Sequence, residues 1–131
     1  MRLLLDTHIA LWSIANDPRM PPSARDMIAD PANEIFVSVA SLWEIAIKYR
    51  LAQLGRGKMP ISAREARHYF REAGFHILGI TDEHAITVET LPLRHADPFD
   101  RLIIAQALTE PARLLTHDAK VATYSDSIIA V

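Results

Sequence analysis

The first fifteen residues, MRLLLDTHIALWSIA (1–15), hold the pattern from which the fold is read. Leu3-Leu4-Leu5 is an unbroken apolar run, as expected of a strand buried on both faces rather than one with a wet side. The run stops at Asp6-Thr7. Thr7 is suited to cap the next segment, in which Ile9, Leu11, Trp12 and Ile14 fit a helix packed on a sheet. On that reading Asp6 stands at the C-terminal end of a strand and, with Thr7 as the cap, has no structural task. Asn16-Asp17-Pro18 breaks the helix.

The same grammar recurs outward from this start. Pro21-Pro22-Ser23 opens a short helix through about Ala29, and Glu34 to Val39 reads as a second buried strand. Ser38 or Ser41 caps a helix over SLWEIAIKYRLAQL (41–54), with Glu44 near its first turn, where the helix dipole favours a carboxylate. Gly55, Gly57 and Pro60 make a loop, an Arg-rich helix spans Ser62 to Ala73, and Gly74 is its natural C-terminal cap. Phe75 to Ile80 is a short strand, and Thr81-Asp82-Glu83 starts another helix. Phe99 to Leu108 is helical, Pro98 suits its first turn, Asp97 its N-cap, and Asp100 follows one turn on. Arg113 to Leu115 is a strand ending at Thr116-His117-Asp118, Lys120 to Thr123 a helical turn, and Ile128 to Val131 a last strand. Alternating strands and helices predict a mainly parallel sheet covered on both faces, with its site at the strands' carboxyl ends. The chain has 131 residues, half of them apolar, so a single domain over 1–131 is expected.

Composition narrows the chemistry. There is no cysteine, which removes disulfides and thiolate chemistry and leaves Asp, Glu and His as candidate metal ligands. No run approaches the roughly 20 apolar residues of a membrane span, and the N-terminus lacks the form of a signal peptide, so a cytosolic protein is expected. The net charge of −2 argues against a broadly basic nucleic-acid surface. It conceals a basic segment, in which Lys48, Arg50, Arg56, Lys58, Arg64, Arg67 and Arg71 face a single acid, Glu65.

Asp6 in LLLDTH and Asp118 in LLTHD both follow Leu-rich strands, so neighbouring strands would aim them into one crevice. Helices beginning beside those strand ends would add Glu44 and Asp100, with Asp97 the rival to Asp100. A like-charged pair at 4 Å costs about 4 kcal/mol at an effective dielectric near 20, so gathered carboxylates need compensation. Mg²⁺ or Mn²⁺ supplies it, binding one or two carboxylates and keeping several waters. Phosphodiester hydrolysis fits such a ligand set. Arg101 is placed to pair with an acid or a substrate phosphate. His8, His95 and His117 lie beside the proposed acids, but an ion-activated water needs no histidine base.

The four segments LLLDTH, SLWEIAIK, HADPFDRLIIAQA and LLTHD, in this order, closely resemble PIN-domain proteins over essentially the whole chain. The length and the DPFDR segment are similar to the VapC-type toxins of type II toxin-antitoxin systems. The resemblance implies a PIN-like, Rossmann-like three-layer α/β/α sandwich with a mainly parallel central sheet. It implies a Mg²⁺- or Mn²⁺-dependent endoribonuclease acting on structured RNA such as tRNA or rRNA, a homodimer, and a VapB-type antitoxin partner. Asp6, Glu44, Asp100 and Asp118 correspond to the family's four acids, as catalytic and metal-binding residues, and Thr7 to a hydroxyl residue near the metal. Asp97 takes a supporting role. In this light Lys48, Arg64, Arg67 and Arg101 are expected to contact RNA, and Leu51, Leu54, Met59 and Ile61 to line an antitoxin groove. Two other classes remain: a catalytically silent PIN-like binding module, and a phospho-acceptor signalling domain. The second is disfavoured, because the chain lacks an adjacent acidic pair after the first strand.

Overall fold

The computed structural model describes residues 1–94 and 97–131, so His95 lies outside the described residues. Five strands form one sheet: β1 (Arg2–Leu5), β2 (Glu34–Ser38), β3 (His76–Leu78), β4 (Arg113–Thr116) and β5 (Ile129–Ala130). Their order across the sheet is β3-β2-β1-β4-β5, with every pairing parallel. The chain builds outward from β1 to β3, then returns across to β4. The switch in direction falls between β1 and β4, where open α/β sheets leave a crevice at their carboxyl ends.

Among the described residues, seven α-helices accompany the sheet: α1 (Thr7–Ala15), α2 (Pro22–Ala29), α3 (Val39–Gln53), α4 (Ala63–Glu72), α5 (Asp82–Thr87), α6 (Pro98–Thr109) and α7 (Ala119–Ala122). A 3-10 turn, Val88–Thr90, follows α5. Strand alternation divides the core into two layers. Leu3, Leu5, Ile35, Val37 and Leu115 pack with Ile9, Ile45, Ala66 and Phe70 on one face. Leu4 and Leu114 pack with Ala40, Ile103, Ile104 and Val121 on the other. Leu3, Leu4 and Leu5 are all fully buried, so burying each contributes about 1.5–3 kcal/mol. This is the expected three-layer α/β/α sandwich.

Two boundaries differ from the sequence reading in ways that matter for the site. Helix α1 begins at Thr7 with Asp6 as its N-cap, so Thr7 is the first helical residue and not the cap. The backbone leaves the strand at Leu5 and is helical from Thr7, which gives the capping position to the one residue between them. Helix α3 begins at Val39, capped by the Ser38 hydroxyl on the Ala40 amide at 2.9 Å. Glu44 therefore stands in its second turn, beyond the reach of the first-turn dipole effect. The C-terminus of α4 forms as expected. Gly74 takes φ +83°, and Phe75 N–H donates to Phe70 C=O and Gly74 N–H to Arg71 C=O, while the Phe70 and Phe75 rings stack.

Candidate active site at the carboxyl edge of the sheet

Asp6 is buried where β1 meets α1, and its carboxylate accepts three hydrogen bonds. Oδ1 accepts the Ile9 amide at 2.8 Å, and Oδ2 accepts the Thr116 hydroxyl at 2.6 Å and the His117 amide at 3.3 Å. The register explains the reach to β4: Leu5 pairs with Leu115, and Asp6 N–H donates to Leu115 C=O at 3.0 Å, so the next residue along β4 is Thr116. Burial holds the Asp6 carboxyl above its ordinary value of 3.8, against the pull of these hydrogen bonds and of the nearby His8.

The Thr116 hydroxyl has a second role. While donating to Asp6 it accepts the Asp118 amide at 3.0 Å, and Asp118 caps α7 through Oδ1 to the Lys120 amide at 2.8 Å. One buried hydroxyl thus joins the two strand-end acids across the switch point. Sequence reading left Thr116 without a role. Its signal is a hydroxyl residue two before an acid at the last position of a buried strand.

Helix α3 meets α1 through a buried pair of hydroxyls, Thr7 Oγ1 and Ser41 Oγ, 2.9 Å apart. Three residues beyond Ser41, on the same helix face, lies Glu44. It is 5% exposed, and its Oε2 accepts from Lys48 Nζ at 2.7 Å. Its Oε1 is buried with no hydrogen-bond partner among the described residues. On α6, Asp97 is the N-cap, accepting the Asp100 amide at 3.0 Å, and Asp100 is a half-buried acid in the first turn. The aromatic neighbours of the two helical acids meet edge to face: Trp43 and Phe99 lie 5.0 Å apart, bracing α3 against α6.

The expected basic contacts are placed unevenly. Arg101 is half-buried near the start of α6. Its guanidinium donates to the carbonyls of Val88, Leu91 and Pro92 and to the Tyr124 hydroxyl, pinning the turn after α5. Lys48 is the ion-pair partner of Glu44. Arg64 is exposed and Arg67 half-buried on α4, which packs against α1 and α3. The four apolar residues expected in one groove separate: Met59 and Ile61 line a cleft beside α1, whereas Leu51 and Leu54 are exposed on and just after α3. His8 and His117 are exposed and flank Trp12, and His117 Nδ1 contacts Val131 C=O at 2.6 Å.

Among the described residues, no three Asp, Glu or His side chains gather closely enough to form a ready cage for an ion. The donor chemistry nevertheless fits a hard divalent cation. Glu44 offers a buried carboxylate oxygen that no described protein group satisfies, and burial disfavours the charge on Asp6. A cation beside either carboxylate would relieve it, and Mg²⁺ binds one or two carboxylates while keeping several waters.

The PIN domain family matches residues 3–126. Ribonuclease VapC22 of Mycobacterium tuberculosis is 32% identical over 125 residues, covering 93% of this chain and 91% of that protein. The fold is similar to VapBC2 from Rickettsia felis bound to a DNA fragment from its promoter, with a TM-score of 0.66 and 17% identity over 100% of this chain and 98% of that one. It is also similar to DNA-bound VapBC from Salmonella typhimurium, with a TM-score of 0.67 and 14% identity over 100% and 97%. At these structural identities the likeness is one of fold.

Proposed function

The chain belongs to the PIN-domain family, and from that premise we propose that it is an endoribonuclease, the toxin of a type II toxin-antitoxin pair, acting in the cytosol. The observation that carries this reading is Asp6, a buried carboxylate at the sheet's switch point joined through Thr116 to Asp118. The 32% identity to a ribonuclease supports the same class of reaction.

Asp6, Glu44, Asp100 and Asp118 would hold Mg²⁺ or Mn²⁺. When bound, such an ion supplies an activated water and charge stabilisation at the phosphoryl oxygens. The chain's own residues set the geometry. Thr116 orients Asp6 and Asp118, the Thr7–Ser41 hydroxyl pair fixes α3 against α1, and Lys48 keeps one oxygen of Glu44 directed. Asp97 supports Asp100 by capping its helix. Arg64 and Arg67 contribute to the RNA-facing rim, with structured RNA such as tRNA or rRNA as the substrate.

Two assemblies complete the reading. Trp43, Ile47, Leu51 and Leu54 are exposed at spacings of four, four and three residues, one apolar stripe along α3 and its end. That stripe supports a homodimer, since large exposed apolar patches mark interaction surfaces. A VapB-type antitoxin would cover the cleft lined by Met59 and Ile61 and so exclude RNA. The reading is tested by Mg²⁺-dependent cleavage of total RNA. Wild type should cut and Asp6→Asn should not, whereas full activity in Asp6→Asn would remove the proposed centre.

A further inference from the structure

A cleft of about 460 Å³ opens beside Thr7, between α1 and the loop that follows α3. Its walls carry His8, Trp12 and Tyr69 as planar rings and Arg19, Lys48 and Lys58 as cations. The α1 wall is an ordered array. The His8 ring lies 5.8 Å from Trp12 at a tilt of 35°, and the Arg19 guanidinium sits over the Trp12 ring at 5.4 Å. His117 meets Trp12 edge-on at 5.5 Å, and its backbone amide donates to Asp6. The array is therefore tied directly to the strand-end acid.

Arg19 is 71% exposed, yet its orientation is fixed. Its Nε and Nη2 donate to the Asp17 carboxylate at 3.0 and 2.8 Å, and its amide donates to the same carboxylate at 2.8 Å. These bonds hold Asp17 down at about 2, so the lock persists at any physiological pH. A surface arginine held over an indole by these bonds, with most of its side chain exposed, leaves its guanidinium open to a further planar group.

We propose that this wall is a nucleobase-stacking subsite, formed by His8, Trp12 and Arg19, that seats a base of the RNA next to the phosphodiester presented to Asp6. The inference rests on the ribonuclease reading and adds where one base of the substrate is held. Aromatic rings and guanidinium planes are the usual platforms for unpaired bases, and they bind with little sequence preference. Arg19 and Lys48 already have acid partners, so stacking supplies the main attraction and Lys58 adds charge for the backbone. The antitoxin proposed to cover the Met59 and Ile61 side of this cleft would then compete with RNA for it.

The test uses short single-stranded RNAs carrying 2-aminopurine at successive positions, titrated into the full chain in chelator without divalent cation. Stacking should quench the emission at one position. Arg19→Gln and His8→Ala change exposed side chains, so their folding is not at risk, and Trp12→Leu is the third variant. Each should weaken binding about five-fold or more, and none should weaken binding of a strand abasic at that position. Equal affinity in all variants, or no penalty for the abasic strand in wild type, would overturn the subsite. Variants that keep RNA affinity but lose a co-expressed antitoxin would assign the cleft to a protein partner instead. Because the titration needs no turnover, quenching without Mg²⁺-dependent cleavage would reject the ribonuclease reading and leave the subsite standing.

Discussion

Asp6 combines two tasks that ordinarily compete. It caps α1 and it carries a buried charge, and the hydrogen bonds from Ile9, Thr116 and His117 do not fully offset its burial. The pH consequence follows from the sign of that shift. The folded chain binds this proton more tightly than the unfolded one, so Asp6 subtracts stability as pH rises from about 3.8 through its raised value in the fold. Wild type should therefore lose thermal stability relative to Asp6→Asn across that window in metal-free buffer, as read by Tm against pH. A flat or rising difference would contradict the burial argument. Asp6→Ala should cost more than Asp6→Asn, by about 1 kcal/mol for the lost cap. Added Mg²⁺ should raise the Tm of wild type more than that of Glu44→Gln, because ligand binding to the folded state adds stability and the variant lacks one anionic ligand.

Helix α6 resolves the choice between its two acids by position. Asp97 is the cap, engaged with the Asp100 amide, and Asp100 stands in the first turn, which fits the proposed division of cap and ligand. Asp97→Ala should lower stability by about 1 kcal/mol in denaturant melts while cleavage persists. Asp100→Asn should abolish cleavage at a smaller cost in stability. The reverse pattern would exchange their roles. Helix α4 gives an element-scale control away from the acids. Gly74→Ala places a Cβ at φ +83°, and should cost about 1 kcal/mol without changing activity. Helix α3 shows why a boundary matters: starting at Val39 and not at Ser41, it leaves Glu44 in the second turn, where burial and the Lys48 ion pair and not the helix dipole set its surroundings.

At the scale of the molecule, the exposed stripe on α3 predicts a dimer that Ile47→Glu or Leu51→Glu converts to monomer in sedimentation experiments, with the fold retained by circular dichroism. An unchanged mass would place the interface elsewhere. The sequence by itself determined the layers, because continuous Leu runs need cover on both faces and alternating elements need parallel pairing. It also marked Asp6 and Asp118 as strand-end acids, one and two residues past β1 and β4, since an acid just after a buried strand is a local signal. Asp97 as cap and Gly74 as helix stop were legible for the same reason, each being a matter of a few adjacent residues. Only the tertiary structure decided what lies between distant segments. Thr116 bridges two acids because β1 and β4 are neighbours in register. Arg101 reaches the carbonyls of Val88 and Leu91, ten and more residues earlier in the chain. Glu44 keeps one buried oxygen without a hydrogen-bond partner among the described residues because α3 packs against α4, α6 and β2. Hydrogen bonds across more than a hundred residues depend on strand order and packing, which no local pattern encodes.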